Sequence, residues 1–282
     1  NNIKTKNRNI LLIGDSYVQG MCVNNVYNFN EQFEKFNLNA YSLGVGGNGP
    51  LLEFATFKEY KSDYNFKSIF LFITPDNDFY DLSNEKNNRI LMNYLNNDDY
   101  KQNLSTKNNR EKKNEILDDY FGNKTNRMWN DFFSVYHLNL KQVGNLIQNY
   151  FKKKNLSNDE YLYFQNQEID KLFIKIIDQF IIETKKDNIN FYVILNSVTP
   201  DILYPKTFDQ QKFKKLVSDK INMIKLHLKK QNVNFFDFSN YLLKNYNDKN
   251  ISIIFKKINN RWDHYTNEGF TILTKETIAL IK

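Results

Sequence analysis

The stretch that decides the fold is Asn9-Ile10-Leu11-Leu12-Ile13-Gly14-Asp15-Ser16-Tyr17-Val18-Gln19-Gly20, an apolar run that ends in a Gly-Asp-Ser turn. The run is short and branched, and turn residues bound it, so it predicts a buried strand. Ser16 then lies where the strand gives way to a helix. Ligands bind at this edge of open α/β sheets, and the N–H groups of a helix start favour negative charge. The stretch alone leaves two interpretations: its polar residues cap the helix, or Ser16 carries chemistry.

Four further apolar runs follow along the chain, separated by segments with helical spacing of their apolar residues. These predicted strands cover residues 39–43, 67–73, 190–195 and 233–238. Strands that alternate with helices predict a parallel sheet covered on both faces. With right-handed crossovers, the chain is expected to form a three-layer α/β/α sandwich around a five-stranded parallel sheet.

The length of 282 residues suits one large domain spanning residues 1–282. Residues 80–160 are polar and weakly patterned, so we expect them to form a helical and loop insertion in this domain. Two interpretations of the insertion remain. It is a solvent-facing elaboration, or it forms a lid or substrate wall beside the site.

The charge balance argues against a nucleic-acid partner. The formal net charge is +7, from 39 Lys and Arg against 32 Asp and Glu. No segment concentrates the basic residues with interleaved aromatics, which nucleic-acid binding needs. The apolar runs are too short to cross a membrane. The chain starts with Asn rather than Met, so a leader or anchor before it is allowed for, and both a cytoplasmic and a cell-envelope location stay open.

Cysteine and histidine usage predicts neither a disulfide nor a metal centre. Cys22 is the single cysteine, and the three histidines are His137, His227 and His264. No two of the histidines have the spacing of metal ligands, so we expect no metal and no cofactor.

Three predicted strand ends carry residues that suit chemistry on an ester. Ser16 follows the first strand, a glycine cluster that includes Gly47 follows the second, and Asn77 follows the third. A hydroxyl can act as nucleophile, and backbone and side-chain N–H groups can stabilise the oxygen that gains charge. His264 is the best-placed base, in a polar segment interpreted as a loop before the last helix. His227 is expected at the surface, and His137 in either the core or a pocket.

The ordered set of motifs resembles the SGNH, or GDSL-type, hydrolase superfamily. The matching blocks are Gly14-Asp15-Ser16 and residues 42–49, 74–78 and 263–269. The resemblance implies a flavodoxin-like sheet and a serine ester hydrolase that removes short acyl groups, with O-acetyl groups on carbohydrate as the expected substrate and no cofactor. It also implies Ser16 as nucleophile, Gly47 and Asn77 as oxyanion donors, and His264 as base.

Two positions depart from the family pattern. Ser42 stands where the second block usually has Asn. The acid that orients the histidine usually precedes it by two or three residues, which here are Trp262 and Arg261, whereas Asp263 is adjacent to His264. Neighbouring side chains in an extended segment point to opposite sides. Either a sharp turn lets Asp263 orient His264, or a main-chain carbonyl or another acid holds the histidine.

Three other functions compete with hydrolysis. Residues 44–49 satisfy G-x-G-x-x-G, the pattern of dinucleotide-binding folds, but they follow the second strand rather than the first, and Pro50 comes directly after them. An SGNH-like module that only binds glycan would lack a working acid. An O-acyltransferase would pass the acyl group to a sugar hydroxyl instead of water.

Overall fold

The computed structural model describes residues 10–62, 65–104, 164–258 and 261–281. The chain divides into two compact units, one formed by Asn1–Tyr100 with Tyr161–Lys282 and the other by Lys101–Glu160. The first unit contains every element named below. Most of the expected insertion at 80–160, and His137 within it, lie outside the described residues, so the single domain of residues 1–282 stays a prediction.

A five-stranded sheet forms the centre of the first unit. Its strands are β1 (Ile10–Ile13), β2 (Ala40–Ser42), β3 (Ser68–Ile73), β4 (Asn190–Leu195) and β5 (Asn234–Asp237). The strands lie in the order β2-β1-β3-β4-β5, and every neighbouring pair is parallel. All side chains of β1 and β3 are buried, as expected for a sheet that is covered on both faces. The predicted five-stranded parallel sheet is therefore confirmed.

Ten α-helices accompany this sheet in the described part of the chain. They are α1 (Ser16–Gln19), α2 (Phe29–Glu34), α3 (Pro50–Tyr60), α4 (Asp78–Glu85), α5 (Arg89–Asn96), α6 (Gln167–Lys186), α7 (Pro200–Leu203), α8 (Phe208–Lys230), α9 (Phe238–Asn245) and α10 (Asn267–Ala279). Short 3₁₀ helices cover Asn25–Tyr27 and Ile251–Ile253. Over the ranges that the structure describes, none of the helices has the length and apolar character needed to cross a membrane.

Aromatic side chains join the helices to the two faces of the sheet. On one face, Phe180 of α6 stacks on Phe191 of β4, with ring centroids 5.8 Å apart. On the other face, Phe29 of α2 packs on Phe72 of β3 at 5.0 Å and on Phe270 of α10 at 4.4 Å. Such pairs add to the area that the rings bury. The three predicted layers are therefore confirmed.

A small antiparallel sheet lies beside the main one and was not predicted. It pairs β6 (Phe255–Ile258) with β7 (Arg261–Tyr265). The interpretation of the segment around His264 as a loop is wrong, because His264 lies on β7. The β6 residues after Phe255 are all exposed, so the segment lacks the apolar alternation that predicts a strand. We call β6 and β7 together the C-terminal hairpin.

Candidate active site

The turn after β1 is shaped by Gly14 and Asp15. A Cβ atom on Gly14 would lie 2.4 Å from Cγ2 of Val18, so only glycine lets α1 begin this close to the strand. The Asp15 carboxylate accepts a hydrogen bond of 2.9 Å from the backbone N–H of Tyr17 and caps α1. Ser16 is the first residue of α1, at the carboxyl end of β1, and 9% of its surface is exposed. The helix cap is therefore Asp15, which leaves the Ser16 hydroxyl available for other contacts.

Asp15 also orients Asn77. Its Oδ2 accepts a hydrogen bond of 3.1 Å from Nδ2 of Asn77, which lies between β3 and α4. Burial raises the pKa of Asp15, and the hydrogen bonds from Asn77 and Tyr17 oppose this effect. Since a side-chain amide carries two N–H bonds, one holds Asn77 in place and the other remains for a ligand. The role of Asp15 is structural, on Asn77 as well as in the turn.

The glycine loop after β2 approaches α1 closely. A Cβ atom on Gly44 would lie 2.3 Å from the backbone nitrogen of Gln19, and one on Gly46 would lie 3.4 Å from Cβ of Ser16. Ser42 donates a hydrogen bond of 3.0 Å to the carbonyl of Val18. Ser42, which stands where the family pattern has Asn, therefore ties the glycine loop to α1.

The predicted donor Gly47 lies in this loop, is exposed and has φ of +83°. Gly47 is not among the residues that line the cavity over Ser16. Gly46 lies nearer to Ser16, but its N–H donates to Oε1 of Gln19 over 2.8 Å. The role of Gly47 as an oxyanion donor stays a prediction.

The structure brings Ser16, His264 and Asp263 into one chain of contacts. Nε2 of His264 lies 2.7 Å from Oγ of Ser16. Nδ1 of the same ring is in close contact with Oδ1 of Asp263. This Oδ1 also accepts the backbone N–H of His264 over 2.7 Å. No sharp turn is needed, because the carboxylate folds back along the extended strand onto the next residue. The acid in contact with the histidine is therefore the adjacent Asp263.

The charge of Asp263 matches this position. Partial burial raises its pKa, but the hydrogen bonds from the side chain and backbone of His264 outweigh that effect, so the net shift is downward. An ionised carboxylate next to Nδ1 favours the tautomer with the proton on Nδ1 and the lone pair on Nε2. That lone pair faces the Ser16 hydroxyl.

Two tyrosines that the sequence analysis missed support the histidine. The ring of Tyr17 packs against His264 with centroids 4.7 Å apart and against Tyr265 at 4.8 Å. The hydroxyl of Tyr265 accepts the backbone N–H of Ser197, beyond the end of β4, over 3.1 Å. The C-terminal hairpin is thus tied to the edge of the main sheet where Ser16 lies.

A half-open cavity of about 260 Å³ lies over this edge. It is lined by Ser16, Tyr17, Thr74, Asp76, Asn77, Thr199, Trp262, Asp263 and His264. The sequence did not single out Asp76 and Thr199 as site residues. Both follow strand ends, so the rule that ligands bind at the carboxyl ends of parallel strands could have identified them. Burial raises the pKa of Asp76 to about 6, and its Oδ1 has no hydrogen-bond partner within the described ranges.

The first N–H groups of α3, where a dinucleotide phosphate would bind, are already taken. The Glu85 carboxylate accepts the N–H of Gly49 over 2.8 Å and that of Leu51 over 3.0 Å. An anion at a helix start competes for these same donors. The Glu85 side chain therefore occupies donors that a dinucleotide phosphate would need.

His227 is less exposed than predicted. It lies on α8, where its Nε2 is 2.7 Å from a carboxylate oxygen of Asp178 on α6, and its side chain is 16% exposed. It lines a second groove, of about 510 Å³, together with Ile174, Asp219, Asn222, Met223, Leu226 and Lys230. The described residues that line this groove include no serine or cysteine, so it does not provide the hydroxyl or thiol that the predicted ester chemistry needs.

The described residues contain one group of potential metal ligands, Cys22 with Asp263 and His264. The expectation of no metal-ligand set rested on spacing along the chain, and Cys22 is 241 residues from Asp263.

Comparison with known proteins identifies the fold. A scan of protein-family models finds no match, and no curated protein matches in sequence. Among solved structures, a lipolytic protein of the G-D-S-L family from Veillonella parvula matches with a TM-score of 0.50 and 12% identity, over 96% of this chain and 97% of the other. The acetyl xylan esterase AlAXEase matches with a TM-score of 0.50 and 11% identity, over 97% of this chain and 100% of the other. The chain therefore has the same fold as these proteins, as the resemblance implied.

Proposed function

We propose that this protein is a serine ester hydrolase in which Ser16 is the nucleophile and His264 is the base. The observation that carries the proposal is the contact chain from the Ser16 hydroxyl through the His264 ring to the Asp263 carboxylate, with 2.7 Å between Oγ and Nε2. A nucleophile, a base within hydrogen-bond reach and a group that orients the base are the parts of this mechanism.

The first half-reaction forms an acyl-enzyme. Nε2 of His264 takes the hydroxyl proton as Oγ of Ser16 attacks the ester carbonyl. The carbonyl oxygen becomes an oxyanion, which the second N–H bond of the Asn77 amide and the backbone N–H of Ser16 stabilise. The expected third donor is Gly47 in the glycine loop. The Nε2 proton then passes to the leaving alcohol.

The second half-reaction releases the acyl group. Water loses a proton to Nε2 of His264 and attacks the acyl carbonyl, and the proton returns to Oγ of Ser16 when the C–O bond breaks. In both halves the Asp263 carboxylate holds the ring and stabilises the positive charge on it without taking the proton.

We expect the substrate to be a short acyl ester of a carbohydrate, with O-acetyl as the first candidate. A cavity of about 260 Å³ is small for a long acyl chain. Trp262 lines this cavity and is partly exposed, and its flat apolar ring suits contact with a sugar face. The acetyl xylan esterase that shares the fold supports, by analogy, an acetyl ester of a carbohydrate as the substrate.

Hydrolysis of p-nitrophenyl acetate by the wild type, Ser16→Ala and Asp263→Asn tests the proposal. Ser16→Ala should fall to the background rate, a loss of at least about 10³-fold, because the nucleophile is gone. Asp263→Asn should lose at least about tenfold in kcat, since the tautomer is no longer fixed. Equal rates in the wild type and Ser16→Ala would refute the proposal that the protein is an ester hydrolase with Ser16 as nucleophile.

A chain-length series from acetate to octanoate then tests the substrate class. We expect kcat/KM to fall as the acyl chain grows. Release of one acetate per ester cleaved, in the presence of a sugar acceptor, distinguishes hydrolysis from acyl transfer.

A further inference from the structure

Cys22, Asp263 and His264 form a cluster of three different metal-binding groups. Sγ of Cys22, a carboxylate oxygen of Asp263 and a ring nitrogen of His264 all lie within 4.8 Å of one another. Sγ is 4.0 Å from Oδ1 of Asp263. The thiol donates to this oxygen, and the proposed reaction gives it no chemical step.

The backbone turn after α1 places Cys22 close to the C-terminal hairpin. Gly20 and Cys22 both have positive φ, +79° and +69°, in the turn that follows α1. The turn returns the chain toward β7, which carries the other two ligands. Each of the three residues is partly exposed, so an ion can reach the cluster from solvent.

We propose that this cluster is an inhibitory site for a thiophilic divalent cation such as Zn²⁺. A thiolate, an imidazole nitrogen and a carboxylate are the three ligand types that zinc takes in proteins, and water fills the fourth position of an open site. Magnesium and calcium prefer sites made of oxygen ligands alone, so they are poor candidates.

The three ligand atoms, which lie within 4.8 Å of one another, must shift by up to about 1 Å to hold such an ion. Zinc–ligand bonds of about 2.0 to 2.3 Å in a tetrahedral site separate the ligand atoms by roughly 3.3 to 3.8 Å. Sγ of Cys22 must therefore move toward Asp263 by a few tenths of an ångström. The close contact between Asp263 and Nδ1 of His264 must open to admit the ion, so the ion and this contact exclude each other.

Binding of the ion changes the proton on the catalytic ring. The Cys22 thiol releases its proton to solvent and the thiolate binds the metal. The lone pair of Nδ1 in His264 also binds the metal, so the ring proton moves from Nδ1 to Nε2. Nε2 then donates to Oγ of Ser16 instead of accepting from it, and the base is lost. Atoms and charge balance with one proton released per ion.

Cobalt titration of the full chain tests the site directly. Because Cys22 is the single cysteine, a thiolate-to-cobalt charge-transfer band can come from no other residue. We expect one Co²⁺ per chain with this band in the wild type, loss of the band on addition of Zn²⁺, and no band in Cys22→Ser. Absence of the band from the wild type, or half an ion per chain shared between two copies, would overturn the site.

Inhibition of ester hydrolysis tests the consequence, and this part rests on the proposed function. Zn²⁺ should inhibit the wild type, and the concentration for half inhibition, taken relative to the metal-free rate of each variant, should rise at least about tenfold in Cys22→Ser. Equal inhibition of both would overturn the inhibitory role. If the wild type hydrolyses no ester, the proposed function fails, whereas the cobalt band still decides whether the site exists.

Discussion

The edge of the parallel sheet and the C-terminal hairpin hold the two halves of the candidate site in different ways. On the sheet edge, Asp15 is 1% exposed and Ser16 is 9% exposed. On the hairpin, the side chains of Asp263 and His264 are 32% and 19% exposed. A buried hydrogen-bond network thus fixes Ser16, the proposed nucleophile, whereas a two-stranded sheet at the surface presents His264, the proposed base.

The hairpin compensates for its small size by anchoring at one end. Tyr265 is 1% exposed and packs on Phe255 and on Phe238, with centroids 5.0 and 5.5 Å apart. The N–H of Thr266 donates to the carbonyl of Ile254 over 2.8 Å. Because an isolated two-stranded hairpin is at best marginally stable, these contacts decide where His264 lies. The position of the C-terminal hairpin, and with it that of His264, therefore depends on the packing of Tyr265.

The largest effect should come from removing His264, the proposed base. His264→Ala should lower kcat for p-nitrophenyl acetate by about 10³- to 10⁴-fold, because His264 is the group that contacts the Ser16 hydroxyl in the part of the chain that the structure describes. His227→Ala is the matched control, since His227 also lies 2.7 Å from a carboxylate but lines the other groove. Its kcat should change less than about twofold. Comparable losses in both variants would contradict the role of His264 as the base.

On the sheet side, Asn77→Ala should lower kcat by about 10²- to 10³-fold with little change in KM, the cost of one oxyanion donor. Asp15→Asn should cost less, about tenfold, because it loosens the orientation of Asn77 without removing the amide. The exposed Asn84→Ala is the control. A larger loss in Asp15→Asn than in Asn77→Ala would contradict the positioning role of Asp15.

Loss of the anchor should affect stability before chemistry. Tyr265→Phe removes the acceptor of the Ser197 N–H and leaves that buried group unpaired, which should lower the free energy of unfolding by about 1 to 3 kcal/mol. Tyr27→Phe, at a partly exposed tyrosine, should change it by less than about 0.5 kcal/mol. Denaturant unfolding measures both. Equal stability of the two variants would show that the hairpin does not depend on this anchor.

The smallest effect should be a pH dependence that arises on the sheet side. Burial raises the pKa of Asp76 to about 6, so the folded protein binds a proton that the unfolded chain has released between about pH 4 and 6. The stabilisation by protonated Asp76 is complete below about pH 4 and is lost as the pH rises through 6. Asp76→Asn should flatten this part of the stability curve by about 1 to 2 kcal/mol, discounted for partial exposure.

Urea unfolding at several pH values from 4 to 7 measures this difference. Identical pH dependence in Asp76→Asn and the wild type would show that the carboxyl does not titrate in this range.

The sheet side could be predicted from the sequence because its signals are local. The apolar run Ile10–Ile13 and the turn at Gly14 identify the strand and its end. The parallel topology then places Ser16 and Asn77 at one edge, since the carboxyl ends of parallel strands meet there. Burial of Asp15 and its bond to Asn77 were not predictable, because they depend on side-chain packing between two loops.

The hairpin side escaped prediction for a physical reason. The residues of β6 after Phe255 are exposed, and Trp262, Asp263 and His264 of β7 are only half-buried, so the hydrophobic effect leaves no periodic signal in these strands. The contact between Asp263 and His264 depends on a carboxylate that folds back along the strand, against the usual alternation of side chains. Cys22 joins the same group from 241 residues away, a distance along the chain at which no spacing rule applies.

The central claim is that Ser16 is the nucleophile that His264 activates. Incubation with a fluorophosphonate ester followed by mass spectrometry of the intact chain and its peptides tests it most directly, since the phosphonyl group stays on the attacking oxygen. We expect one adduct per chain on Ser16, no adduct in Ser16→Ala, and labelling slowed at least about 10²-fold in His264→Ala. An adduct on any other residue, or unchanged labelling of Ser16→Ala, would contradict it.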